Sequence, residues 1–347
     1  MSSDLEQKIT SAMHRIEDLY YKTDGKCYLS FSGGKDSTII LAIIKMCEDI
    51  LTIPPNSIPA VFCNTGIELG STIEFIKWVK KNWYQNVQVI RPDKTFSWIV
   101  KNKGKPIKSK VKSEYLGRYQ RKPSGTALDF LIDYKGKYQK TRIANKDMHL
   151  IHENFNIKIT NLCCSYLKKK PFEKYQKDNQ ITGYITGIRN SEGGARELNN
   201  KNRIKSGGEL CTATKGKSIV KMPIIDWTNE NVDEFIDKYC IPLSKAYTKE
   251  GYERTGCFLC PYSMQIDKNL EKLFIYDPNR YKASMYWLKD VYIAQNVILN
   301  FDKNYEAERK KKWNNSYYKM RYEMLAKYRP DKADKFNNKQ IDIYEYI

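Results

Sequence analysis

Two constellations in this chain have residue types and spacings that could do chemistry. The first is Leu29-Ser30-Phe31-Ser32-Gly33-Gly34-Lys35-Asp36-Ser37-Thr38, where an apolar strand runs into two glycines and a helix begins at once. Such a junction gathers backbone N–H groups that lack a helical partner, together with the positive end of the helix dipole. That combination suits a phosphate. Glycine lets the backbone approach the anion closely and take a positive φ. Ser32, Ser37 and Thr38 add hydroxyls, and Lys35 adds charge. The segment is not a Walker A loop, which needs four residues between its first glycine and Gly-Lys-Ser/Thr, nor a Gly-x-Gly-x-x-Gly dinucleotide turn.

The second constellation is made of thiols. Cys163-Cys164 precede the basic run Lys168-Lys169-Lys170, and Cys257-Phe258-Leu259-Cys260 follows far downstream. Alone, a Cys-x-x-Cys pair is a redox couple or half of a zinc site, and adjacent cysteines can be two small buried residues. The opening residues, MSSDLEQKIT, carry acids where a secretory leader needs a basic and then an apolar stretch. No run reaches the roughly 18 apolar residues of a membrane span. A cytoplasmic protein with no membrane segment is therefore expected. There disulfides are rare, and the odd count of 9 cysteines suits a closed disulfide framework poorly.

The elements that must position these groups alternate regularly. Residues 4–22 read as an amphipathic helix with Leu5, Ile9, Ile16 and Leu19 on one face. Strands are expected at 27–31, 58–63 and 87–90, with helices at 37–47 and 71–83 between them. A further buried strand is expected at 181–188, punctuated by Gly183 and Gly187. This alternation predicts an α/β fold: a doubly wound, mostly parallel, Rossmann-like sheet with right-handed crossovers. The stretch 101–122 holds nine Lys/Arg and a single acid, Glu114, and reads as a loop plus short helix over the sheet's edge. From Leu270 to about Tyr328 the pattern is helical, aromatic and basic. The predicted organisation is a nucleotide-binding domain over 1–265 that carries the four cysteines, and a helical C-terminal subdomain over 266–347.

The loop from Ser32 to Ser37 closely resembles the SGGxDS signature of the PP-loop, or adenine nucleotide α-hydrolase, superfamily. Its members cleave ATP between the α and β phosphates or bind adenylyl compounds at this loop. The resemblance makes Lys35 and Asp36 the expected catalytic residues and Ser32, Gly33, Gly34, Ser37 and Thr38 nucleotide-binding ones. Asn64-Thr65-Gly66-Ile67-Glu68, after the second strand, is similar to the family's Thr-Gly…Glu segment. Asn64, Thr65, Gly66 and Glu68 are thus expected near the adenosine, a plain strand-to-helix turn being the alternative. The order Cys163-Cys164, Gly187-Ile188-Arg189 with Glu192 and Arg196, Pro223 to Thr228, Tyr252, Arg254 to Cys257, then Cys260-Pro261 is similar to the phosphoadenosine-phosphosulfate (PAPS) reductase family.

In assimilatory adenosine-phosphosulfate (APS) reductases of that family, a Cys-Cys pair and a later Cys-x-x-Cys hold a [4Fe–4S] cluster. The resemblance implies such a cluster on Cys163, Cys164, Cys257 and Cys260. Four thiolates also suit zinc, and a metal-free site stays open. Gly187, Arg189 and Arg196 resemble the segment that contacts the nucleotide's phosphates, where the arginine fork bonds phosphate bidentately. The chain departs from the pattern there, with Glu192-Gly193-Gly194-Ala195-Arg196 where the family has Glu-Ser before the second arginine. Family reductases also use a nucleophilic cysteine in a C-terminal tail. No cysteine follows Cys260, so an S-sulfo intermediate by that route is not expected. Cys211 reads as an ordinary loop cysteine rather than its substitute. His149 and His152 read as packing or surface residues, and no general acid or base is assigned.

Lys+Arg total 60 against 40 Asp+Glu, a net charge of +20. Such a surface attracts polyanions, unless a lysine-rich coding bias merely decorates it. Three functions follow. The first is an ATP-using enzyme, with Mg²⁺, that releases AMP and pyrophosphate and passes sulfur to an anionic acceptor. That acceptor would be DNA or RNA held by 101–122 and the C-terminal region, with a cysteine desulfurase or other sulfur or electron donor as partner. The second is a thioredoxin-dependent PAPS/APS reductase. The third is a non-catalytic nucleotide sensor or nucleic-acid-binding protein.

Overall fold

The computed structural model describes residues 3–123, 125–133, 139, 141–192, 204–205, 207–297, 299, 301 and 317–334. Two compact units interleave along the chain: Met1–Asp93 with Lys168–Cys257, and Lys94–Leu167 with Phe258–Ile347. The sequence reading instead cuts the chain once, after residue 265. Periodicity shows where elements lie but not which distant segments share a core.

The first unit is built on one six-stranded sheet. Its strands are β1 (Cys27–Ser30), β2 (Ala60–Cys63), β3 (Val87–Ile90), β4 (Gly183–Ile185), β5 (Thr212–Lys215) and β6 (Ser218–Lys221), in the order β3-β2-β1-β4-β6-β5. All pairings are parallel except β5 with β6, a hairpin in which Lys215 faces Ser218. The mostly parallel α/β sheet is the expected one. The antiparallel edge was not foreseen, because Thr212–Lys215 has no buried position to give a hydrophobic signal.

Side chains alternate between the two faces of the sheet with the period of 2 that a strand imposes. Cys27, Leu29, Ala60, Phe62, Val87 and Ile185 enter one core with helices α1 (Ser3–Lys22), α2 (Lys35–Asp49) and α3 (Gly70–Asn82). Tyr28, Val61, Tyr184 and Ile90 meet Phe172 and Tyr175 of helix Lys170–Asp178 on the other face. Helices therefore cover both faces. The expected strand 181–188 is only three residues long in the structure. After one further bond, Thr186 N–H to the Lys221 carbonyl at 3.0 Å, the chain turns at Gly187 into the site described below.

The second unit is helical, with segments Phe96–Asn102, Lys110–Arg121, Ala127–Ile132, Ile266–Tyr276, Pro278–Ala294 and Tyr318–Tyr328. The basic stretch 101–122 is thus mostly helix, starting at Ser109, whose hydroxyl accepts from the Lys112 N–H. The predicted run from Leu270 is broken at Asp277-Pro278. There proline stands at the first position of a new helix and the Asp277 side chain caps the Arg280 N–H. Arg329 is buried and stitches this core by donating to the carbonyls of Ile132 (2.7 Å) and Ile143 (3.1 Å) and to Asn145 Oδ1 (2.6 Å). Among the described residues, no helix is long and apolar enough to cross a membrane.

His149 is fully buried in this unit, its Nε2 at 2.9 Å from the Ala294 carbonyl and its ring stacked 4.7 Å from that of Tyr317. Burial, with Arg321 adding to it, pushes its pKa down to about 3. An unfolded histidine titrates near about 6.5. The folded state then loses stability as pH falls below that value, because the unfolded chain takes up a proton that the folded one refuses. Urea unfolding midpoints are expected to fall between about pH 6.5 and pH 5, and His149→Asn to flatten that slope.

Candidate functional site

In the first unit, sheet order reverses between β1 and β4. β2 and β3 extend from one side of β1, and β4 and β6 from the other. A crevice outside the carboxyl ends of the two strands at such a point is where open α/β sheets bind ligands. The Ser32–Thr38 loop leaves β1 there, and Thr186–Arg189 leaves β4.

The loop is tightly ordered. Gly33 takes φ +70°, and a Cβ on it would lie 3.2 Å from Ile76 Cδ1 and 3.3 Å from Thr72 Cγ2 of α3. That close seat and the positive φ both call for glycine. Gly34 stands at the start of α2 with extended backbone and makes no side-chain cap. The Ser32 and Ser37 hydroxyls sit 3.1 Å apart, and the Ser32 Oγ accepts from the Gly34 N–H at 3.3 Å. Ser37 and Thr38, expected as phosphate donors, give their hydroxyl protons to the Gly34 carbonyl at 2.9 and 3.0 Å.

Gly187 presses against the first turn of α2. A Cβ there would come within 2.9 Å of Asp36 Cβ and 3.1 Å of both the Asp36 carbonyl carbon and the Ser37 nitrogen. Two residues on, Arg189 Nε donates to Asp36 Oδ1 at 2.7 Å. Its NH1 donates to Ser191 Oγ (2.8 Å) and Asn229 Oδ1 (3.0 Å), and Ser191 in turn donates to the Trp227 carbonyl. The expected catalytic carboxylate and the expected phosphate-binding arginine therefore meet as a mostly buried ion pair, with side chains 23% and 10% exposed. Arg196 lies outside the described residues.

After β2, Gly66 takes φ +80° and gives its N–H to Asn64 Oδ1 at 3.0 Å, a local turn held by the asparagine side chain. The Thr65 hydroxyl donates to the buried Glu68 carboxylate at 2.7 Å. Glu68 also pairs through its backbone with Cys257, which brings that cysteine beside the turn.

Tyr247 was not singled out by sequence reasoning. Its hydroxyl lies 3.4 Å from the Lys35 N–H and 3.2 Å from the Thr255 N–H, both of which donate to it, and 3.3 Å from Thr255 Oγ1. It thus ties the loop's lysine backbone to the Arg254–Cys257 segment. Nothing in the Lys245-Ala246-Tyr247-Thr248 sequence marks it, because the contact spans 212 residues. Lys35 Nζ lies 5.6 Å over the Tyr247 ring and 3.8 Å from Asp233. Tyr247→Phe is expected to cost about 1 kcal/mol of stability and to raise the KM for nucleotide several-fold, measured by urea unfolding and initial rates.

The thiols divide between the units, Cys257 ending the first and Cys163, Cys164 and Cys260 belonging to the second. Those three all act on Tyr262 of the second unit, whose phenol is pushed up first by burial and then by their negative charge. Its hydroxyl donates to the Thr160 carbonyl at 3.4 Å. Four thiols fit a thiolate-bound metal in kind. Among the described residues, no group of three or more Cys, His, Asp or Glu side chains is closed around a common point. Cys27, Cys47 and Cys63 of the first unit differ. Burial pushes Cys27 up to about 11 and Cys47 and Cys63 to about 12, which makes them inert at neutral pH.

The model for the phosphoadenosine phosphosulfate reductase domain matches residues 26–129 and 126–263. The chain belongs to the PAPS reductase domain family. This PAPS-reductase-like nucleotide-binding domain has two relatives among curated proteins, both uncharacterized proteins of Methanocaldococcus jannaschii. MJ0973 is 25% identical over 263 residues, covering 76% of this chain and 48% of the relative. MJ0066 is 25% identical over 254 residues, covering 72% and 39%. The chain therefore spans about half or less of the curated relatives it matches. Among solved structures, the PAPS reductase from Candida auris in a phosphate complex matches at 12% identity and a TM-score of 0.43. That match covers 74% of this chain and 96% of the other, and a likeness of that size carries nothing further.

Proposed function

We propose that this PAPS-reductase-like protein is an adenine-nucleotide enzyme that cleaves ATP to AMP and pyrophosphate in the cytoplasm and passes sulfur to an anionic acceptor, a nucleic acid. The observation that carries this reading is the switch-point crevice, where a glycine loop, an uncapped helix start and the Asp36–Arg189 pair converge. Phosphates bound there meet the backbone of Gly33 and Gly34 and the positive end of α2. Lys35 adds charge at the first turn. Phosphates bound at the loop would compete for Arg189, and the Asp36 carboxylate so freed would hold the nucleotide's Mg²⁺. An oxygen of the acceptor would then attack the α-phosphorus, the α–β bond breaking with pyrophosphate leaving. A sulfide-level sulfur from the donor would displace AMP from the adenylated acceptor. Without an acceptor, water takes its place and gives AMP directly. Asn64, Thr65, Gly66 and Glu68 form the neighbouring wall for the nucleoside.

Cys163, Cys164, Cys257 and Cys260 are proposed as ligands of a [4Fe–4S] cluster, and the order of a Cys-Cys pair followed by Cys-x-x-Cys in a chain of this family supports this. The cluster would supply a soft sulfur- and electron-handling centre. Lys168, Lys169 and Lys170 follow the first pair in sequence and offset the negative charge of a tetrathiolate site.

Protein purified without oxygen is expected to be brown, to contain iron, and to release AMP and pyrophosphate from ATP in equal amounts. A colourless preparation loaded with zinc would remove the cluster. Family membership favours a second reading, thioredoxin-dependent reduction of PAPS or APS, and sulfite released from those nucleotides would establish it instead.

A further inference from the structure

The segment Lys94–Leu167 holds 16 Lys/Arg against 5 Asp/Glu, so about half of the chain's net charge of +20 sits in about a fifth of its length. Within it, half-exposed aromatic rings lie beside cations. In helix Phe96–Asn102, Phe96 and Ile99 are buried while Trp98 is half-exposed. Trp98 lies 5.6 Å from the ring of Tyr166, with Lys94 Nζ 4.9 Å and Lys103 Nζ 5.7 Å from its own ring. In helix Lys110–Arg121, Ser113, Leu116 and Gly117 are buried. Tyr115 is half-exposed, stacks on Phe130 at 4.7 Å and carries the Arg118 guanidinium at 5.3 Å.

Half-exposed aromatic planes flanked by cations form the surface that single-stranded nucleic acid uses. A base stacks on the ring and the cations meet its phosphates. A duplex hides its base faces within the stack, so it cannot use such planes. Tyr166 also lies two residues beyond Cys164, which links the platform along the chain to the proposed sulfur-handling cysteines.

We infer that Trp98 and Tyr166, with Lys94 and Lys103, and Tyr115 with Arg118, bind single-stranded nucleic acid by base stacking and phosphate contact. This rests on the acceptor reading above and names the surface that reading lacks. The test is fluorescence anisotropy of the full chain with a labelled oligonucleotide of about 15 nucleotides, single-stranded and as a duplex, over a range of salt. Trp98→Ala is expected to weaken single-strand binding about tenfold, and Trp98→Tyr to keep most of it. Replacing Lys94 and Lys103 by Gln is expected to lower the salt slope by about 1.4, which tests the surface even if Trp98→Ala folds poorly. Single-strand affinity unchanged in Trp98→Ala together with an unchanged salt slope in the lysine variant, or tighter binding of the duplex, would overturn the proposal. ATP cleavage is measured on the same samples. Stacking lost while ATP is still cleaved separates this surface from the nucleotide site. Wild-type protein that cleaves ATP but holds no oligonucleotide would sink this inference and leave the nucleotide reading intact.

Discussion

Asp36→Ala is expected to abolish AMP and pyrophosphate release from ATP, lowering kcat/KM by at least about a hundredfold. The carboxylate is proposed to carry the metal of the nucleotide and is already bound to Arg189 at 2.7 Å. Its loss also leaves a guanidinium that is 10% exposed without its partner. Stripping one member of a mostly buried pair costs about 3 kcal/mol when the other stays charged. The variant should therefore lose urea stability as well as turnover. Asp36→Asn keeps a hydrogen-bond acceptor for Arg189 and should recover much of the stability without the activity. Product release by chromatography and a denaturation curve on each variant separate the two effects. Turnover within twofold of the parent would remove Asp36 from the chemistry.

Gly187→Ala is the second large effect. The new methyl would sit 2.9 Å from Asp36 Cβ and 3.1 Å from the Asp36 carbonyl carbon and the Ser37 nitrogen. Two of those atoms are backbone in the first turn of α2, so no side-chain rotation relieves the contact. Either α2 or the strand end must shift, at a cost of about 1–3 kcal/mol, the range seen when cores are overfilled. The displaced turn is the one proposed to bind phosphate, so nucleotide affinity is expected to fall at least about tenfold. Gly66→Ala is the contrast. Nothing lies within 4 Å of its Cβ position, and the cost comes only from φ +80°, about 1 kcal/mol. Calorimetric titration with ATP and thermal unfolding check both. Equal losses for the two variants would show that crowding at the switch point is unimportant.

Much of the sheet and the loop could be read from sequence because both are local. Cys27–Ser30, Ala60–Cys63 and Val87–Ile90 announce themselves as short apolar runs, and Gly33-Gly34 follows the first directly. The Thr65 and Glu68 segment follows β2 directly, and its position is local for the same reason. What the sequence hides is long-range. The Arg189–Asp36 pair joins residues 153 apart, and the Tyr247 hydroxyl reaches Lys35 across 212. No periodicity encodes either. The hydroxyl partners of Ser37 and Thr38 are likewise not legible in the sequence. Their hydroxyls, which read as phosphate donors, give their protons to the Gly34 carbonyl. The β5–β6 hairpin escaped notice because its edge strand has no buried side chain. The interleaved units escaped because a segment such as Lys94–Leu167 looks like a loop excursion until Phe258 onward supplies the rest of its core.

The account stands most directly on adenine-nucleotide binding at the crevice between β1 and β4. One competition assay on the full chain, with ATP, PAPS, APS and GTP displacing a fluorescent ATP analogue, measures it. ATP is predicted to compete best, GTP poorly, and Gly187→Ala to weaken ATP without changing that order. Failure of every adenine nucleotide to compete, or an unchanged ATP affinity in Gly187→Ala, would contradict it.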